Sequence, residues 1–199
     1  MDDEDEIAKE LRTYVDQLRP FQGARSTKRI HRDRDELDDV ERTLTAAGIQ
    51  FIDLRHRGNQ DPPDCEAIIR GVRCGIEVTE LVHERALRAS IKSIKTKKGF
   101  MHHHEWTREE FLTELRGRIE EKDNPTDLKD GPYKRYFLVI WTGEMHLTKE
   151  AIRDFLEGVS FACSLIKDAF IALDYHPGSA DRYPAIPISI VKRAAKPEQ

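Results

Sequence analysis

Residues Asp64 to Leu81 read DCEAIIRGVRCGIEVTEL, two runs rich in Ile, Val and Cys on either side of Arg70-Gly71. Glycine supplies the backbone freedom that a tight turn demands, so the stretch predicts a β-hairpin. Closing the turn with Ile69 opposite Val72 sets Cys65 against Ile76, Ala67 against Cys74 and Asp64 against Glu77. One face is then wholly apolar: Cys65, Ala67, Ile69, Val72, Cys74, Ile76 and Val78. The other carries Asp64, Glu66, Ile68, Arg73, Gly75, Glu77 and Thr79. A slip of one residue would mix the two sets, so burial pins the pairing.

Upstream of the hairpin, the chain predicts a helix from about Asp33 to Ala47, with Leu37, Val40, Leu44 and Ala47 inward and Gly48 at its stop, and then a strand over Ile49 to Leu54. Downstream, His83 to Lys98 reads as a basic helix with Leu87, Ile91 and Ile94 on its core side. Thr107 followed by Glu110 is a capping box that opens a helix through Glu121, with Phe111, Leu112, Leu115 and Ile119 on its buried face. The nearly all-apolar run YFLVIWT, Tyr136 to Thr142, suits a central strand covered on both sides. A helix from Thr148 to Glu157, with an extension to Lys167 left open, and strands over Ala169 to Tyr175 and Ala185 to Val191 complete an α/β pattern with a mixed central sheet flanked by helices. The division expected is residues 1–30 as an amphipathic helix (Ile7, Leu11, Tyr14, Val15, Leu18) with a basic loop, and residues 31–199 as a single α/β domain.

A length of 199 residues favours one core. The 33 Lys+Arg and 37 Asp+Glu give a net charge of -4, with 35% charged residues against roughly 25% in typical soluble domains. No apolar run approaches the ~20 residues of a bilayer span, and the opening MDDEDEIAKE is acidic where a signal peptide would be basic. An odd count of three cysteines without a CxxC pair argues against a disulfide framework and for the reducing cytoplasm. The basic residues are clustered: Arg19 to Arg34 holds six against one acid, and Arg85 to Lys98 holds six (Arg85, Arg88, Lys92, Lys95, Lys97, Lys98) with none. Such clusters let a mildly acidic protein bind a polyanion.

Two carboxylates opposed across a hairpin lie about 4.5–5.5 Å apart at Cβ and repel. A divalent cation that prefers carboxylate oxygens, Mg²⁺ or Mn²⁺, offsets that repulsion naturally. Pro63-Asp64, followed by Glu77-Val78-Thr79 and set between a helix bearing Glu36 and a second amphipathic helix, resembles the PD-(D/E)xK nuclease superfamily, and GIEVTEL is similar to a group of uncharacterised bacterial members. The resemblance implies a restriction-endonuclease-like fold and a metal-dependent nuclease acting on nucleic acid, DNA foremost. It implies metal binding by Asp64 and Glu77, with Glu36 completing the site. Thr79 stands where that pattern has a lysine which activates water. Lys92 and Lys95 of the following helix are the substitute candidates, and Arg85, Arg88, Lys92, Lys95, Lys97 and Lys98 the phosphate-binding set.

Three consecutive histidines, His102 to His104, lack the spacing of a zinc motif and read as a solvated loop. Cys65 and Cys74 fall on the apolar hairpin face as small hydrophobes. A nucleic-acid-binding protein that has lost catalysis, and a protein-interaction module using the acidic N-terminal helix, are the rival functions.

Overall fold

The computed structural model describes residues 29–58, 62–83, 104–124, 128–173 and 183–193, with positions 85, 86, 89, 92, 93 and 96 between them. The helix and loop expected over residues 1–28 lie outside the described residues. The chain is a mixed α/β protein. Helix α1 (Arg29–Ala46) leads into strand β1 (Phe51–His56), β2 (Cys65–Ile69) and β3 (Val72–Glu80), followed by α2 (Arg108–Lys122) and β4 (Arg135–Thr142). Helix α3 (Lys149–Leu156), β5 (Phe161–Cys163), β6 (Asp168–Leu173), β7 (Ala185–Ile188) and β8 (Ile190–Lys192) complete it.

Six strands form one sheet in the order β1-β2-β3-β4-β6-β7. The first three are an antiparallel meander, β4 and β6 add in parallel, and β7 closes antiparallel. The hairpin has the register its alternation predicts, with Cys65 opposite Ile76, Ala67 opposite Cys74 and Ile69 opposite Val72. Its turn places Arg70 at φ +52° and Gly71 at φ +74°, the pair of left-handed residues that a two-residue loop requires.

The sheet divides two cores. On one side α1 lays Val40 and Leu44 over Cys65, Ala67, Ile76, Val78 and Val139. On the other, Phe111, Leu115 and Ile119 of α2 pack with Leu138, Ile140 and Ile171. Each of these three is fully or almost fully buried, which stabilises the docked helix by about 1.5–3 kcal/mol per side chain. Strand β4 is buried on both faces from Tyr136 to Thr142, as its sequence requires.

Several boundaries differ from expectation. Helix α1 begins at Arg29, because Arg29 to Arg32 (RIHR) include neither Gly nor Pro and arginine is a good helix former. The helix after Thr148 ends at Leu156 and does not reach Lys167, since Gly158 turns the chain at φ +70°. The terminal strand splits: Ile190–Lys192 leaves the main sheet to pair in parallel with Phe161–Cys163. Three-residue strands are too short to show a period.

Candidate active site on the β2–β3 hairpin

Because alternate residues share a sheet face, Glu77 lies beside Leu138 on the α2 side. It is 5% exposed and has two partners there: Lys122 Nζ donates to Oε1 at 2.7 Å and the Tyr136 hydroxyl to Oε2 at 3.0 Å. Asp64 stands one residue before the first rung of β2, and its Oδ2 accepts the backbone N–H of Val78 at 2.7 Å. The hairpin ladder ends at the Cys65–Ile76 pair, so a backbone amide rather than a bare opposing carboxylate faces Asp64.

Lys122 is the last residue of α2, and the chain is fixed immediately after it. Asp123 is buried and accepts backbone N–H groups from Ser164, Leu165 and Ile166 at 2.7–3.1 Å. At the other end the Thr107–Glu110 capping box closes as the sequence predicts. With both ends held, α2 has little freedom to slide, and its final side chain reaches the carboxylates. Burial works to strip the Lys122 ammonium of its proton, but the charges of Glu77 and Asp64 outweigh it and hold the pKa above the ordinary lysine value. Burial, reinforced by the same two carboxylates, likewise drives the Tyr136 hydroxyl far up. Both groups are therefore proton donors at neutral pH, with no capacity as bases.

Gly75, on the same face, leaves room for the Tyr136 ring: a Cβ there would lie 2.9 Å from Tyr136 Cδ2 and 3.1 Å from Pro63 Cγ. Beyond it, buried Glu66 takes hydrogen bonds from Arg73 at 2.5 and 3.1 Å and from Arg55 Nε at 2.7 Å, with Arg57 at 3.6 Å. Burial alone would raise the Glu66 carboxyl, and the hydrogen bonds of Arg73 and Arg55 reverse this, leaving it below the usual carboxylate value. A bulge in β1 between Ile52 and Arg55 brings Arg55 opposite Glu66 and His56 opposite Cys65.

His56 consequently faces α1, where its Nε2 meets Glu36 Oε2 at 3.0 Å. Glu36 is buried two turns into α1, on the opposite sheet face from Glu77. Thr79 is half-buried, one alternation along from Glu77 and opposite Ile140. Of the basic segment, Arg85 and Lys92 are exposed on helical backbone. Arg88, Lys95, Lys97 and Lys98 lie outside the described residues.

The three cysteines are buried and stand outside any disulfide. Burial raises the Cys74 thiol and pushes Cys163 up to about 11, which keeps both protonated and poor nucleophiles at neutral pH.

Sequence reasoning missed Lys122 and Tyr136. The signal for the first was present: Phe111, Leu115, Ile119 and Lys122 form one helical stripe, so a lysine continues an apolar face. No protein-family profile, curated protein or solved structure matches the chain. Among the described residues no helix is long and apolar enough to cross a membrane.

Proposed function

We propose that this chain is a divalent-metal-dependent nuclease of restriction-endonuclease-like fold, hydrolysing phosphodiester bonds in DNA. The observation that carries this reading is the convergence of Asp64, Glu77 and Lys122: the Lys122 ammonium bonds Glu77 and feels the charge of Asp64. An α1–meander–α2–parallel strand order agrees with the mixed sheet flanked by helices that the sequence resemblance implies. Two carboxylates form a donor set that fits Mg²⁺ or Mn²⁺, and Asp64 and Glu77 would hold it. Such an ion, when bound, polarises a phosphoryl oxygen and lowers the pKa of water.

The chain's own residues supply the rest. Lys122 keeps its proton, so it stabilises the attacking oxygen and the negative charge on the phosphoryl oxygens, and it does not deprotonate water. Tyr136 fixes the second oxygen of Glu77, leaving the carboxylate little rotational freedom. Exposed Arg85 and Lys92 contact backbone phosphates and give affinity without base selection. Three buried cysteines outside any disulfide fit a reducing cytoplasm.

A binding protein without catalysis is the second reading, favoured by the absence of lysine at position 79 and by the closed Lys122–Glu77 pair. Incubating plasmid, linear DNA and RNA with the chain in Mg²⁺, Mn²⁺ or chelator separates the two. Cleavage should require the metal and fall about 100-fold or more in Asp64→Asn and in Glu77→Gln. Cleavage that survives chelator, or either substitution, overturns the assignment; tight binding without cleavage selects the second reading.

A further inference from the structure

His104, expected in a solvated loop, is only partly exposed and stacks face to face on His83, with ring centroids 3.5 Å apart and planes 6° from parallel. Both rings meet Trp106 edge to face, at 5.5 and 5.4 Å. Trp106 is 8% exposed, and its indole N–H has no hydrogen-bond partner among the described residues. Glu110 completes the group: one ligand-capable atom from each of His83, His104 and Glu110 lies within 4.8 Å of the others. Among the described residues this is the set of three or more His, Cys, Asp or Glu side chains so gathered.

We infer that His83, His104 and Glu110 form a binding site for a borderline transition-metal ion, Zn²⁺ foremost, distinct in its side chains from the Asp64–Glu77 pair. Two imidazoles and one carboxylate are a donor set suited to zinc, whereas Mg²⁺ prefers oxygen alone. Hydrogen bonding by itself leaves the group loosely made. His104 Nε2 stands 3.3 Å from Glu110 Oε2, longer than the roughly 2.7–2.9 Å of a charge-assisted bond. That oxygen is already taken by the N–H and hydroxyl of Thr107, at 3.0 and 2.8 Å.

Tetrahedral zinc with bonds near 2.0–2.1 Å needs its donors about 3.3 Å apart and the ion in the plane of each imidazole, so binding requires the stacked His83 and His104 rings to rotate out of parallel. His83 Nδ1 accepts the Ala86 N–H at 3.2 Å, a long bond that ligation through Nε2 would exchange for the other tautomer. Three protein ligands leave a fourth position for water or a further donor. The backbone is prepared on both sides. Glu144 Oε1 accepts the His83 N–H at 2.8 Å, and the capping box sets Glu110. A bound ion would thus join the segment leaving β3 to the start of α2.

The test titrates the full chain with Zn²⁺ against a chromophoric chelator and records Co²⁺ absorption as a report on tetrahedral geometry. One ion per chain is expected, with affinity lowered at least about tenfold in His104→Ala and in Glu110→Gln and unmoved by millimolar Mg²⁺. Glutamine preserves the capping box, so circular dichroism should show Glu110→Gln folded while its binding is lost. No stoichiometric binding by the full chain, binding that survives both substitutions, or displacement by Mg²⁺ overturns the inference.

Discussion

Lys122 and Glu77 meet at 2.7 Å across the interface between the last turn of α2 and the middle of β3, 45 residues apart in the chain. Glu77 is almost fully buried and Lys122 about a quarter exposed. The pair thus has its geometry fixed by packing.

Lys122→Met should lower cleavage about 100-fold or more, because it removes a positive donor from the transition state, while DNA affinity changes little. It should also destabilise the fold by about 2–3 kcal/mol, less than a fully buried broken pair because the lysine is partly solvated. Urea unfolding of Lys122→Met, Glu77→Gln and the double variant checks this: the double variant should be more stable than the sum of the singles predicts. Additive losses would show that the two side chains are not coupled.

Gly75→Ala addresses the support of the carboxylate. The added Cβ would press on Tyr136 and Pro63 at 2.9 and 3.1 Å, and the ring is tied to Glu77 through its hydroxyl. Overpacking of this kind costs about 1–3 kcal/mol. The melting temperature should fall, and the rate of cleavage should fall with it at temperatures where the variant is still folded. An unchanged rate would mean that the Tyr136–Glu77 contact does not position the carboxylate.

Acid titration isolates the α2 cap. Backbone and hydroxyl hydrogen bonds from Thr107 hold the Glu110 carboxyl down at about 2, against its ordinary 4.5. A carboxylate depressed in the folded state adds stability above its unfolded value and loses it as pH falls through the folded one. In chelator, the stability advantage of the parent over Glu110→Gln should therefore be full above pH 4.5 and shrink towards about pH 2. A pH-independent difference in denaturation midpoint would rule out the Glu110 charge as its source.

Arg85→Ala and Lys92→Ala should each weaken DNA binding and reduce the slope of log affinity against log salt by about one. Lys92 is exposed, so its loss should leave single-turnover cleavage of bound DNA near the parent rate. A large loss of that rate would return Lys92 to the reacting groups.

The parts legible in the sequence are those with a strong local period or a chemical terminus. The hairpin register follows from alternation with two incompatible faces, strand β4 from its apolar run, and α2 from Thr107 and Glu110. Asp64 and Glu77 were visible because one hairpin carries both. Lys122 is marked only by its place on the Phe111–Leu115–Ile119 stripe, because pairing it with Glu77 requires knowing how α2 crosses the sheet. Glu36 stands out in the sequence only by its position near the expected helix start. The helix begins seven residues earlier, at Arg29, and Glu36 turns to His56 instead. The gathering of His83, His104 and Glu110 is likewise tertiary, since residues on both sides of a long connection meet only after folding.

The anchoring of α2 by Asp123 sets the order in which the charges of this cluster come together. A hairpin closes over neighbouring residues and, alone, would hold two carboxylates with no counter-charge between them. Lys122 arrives only after α2 has docked, and that docking is locked by amides from positions 164 to 166, synthesised some forty residues later. An emerging or truncated polypeptide would thus carry the acidic half of the site without its cationic half. Completion of the downstream chain is what brings the Lys122 ammonium to the two carboxylates.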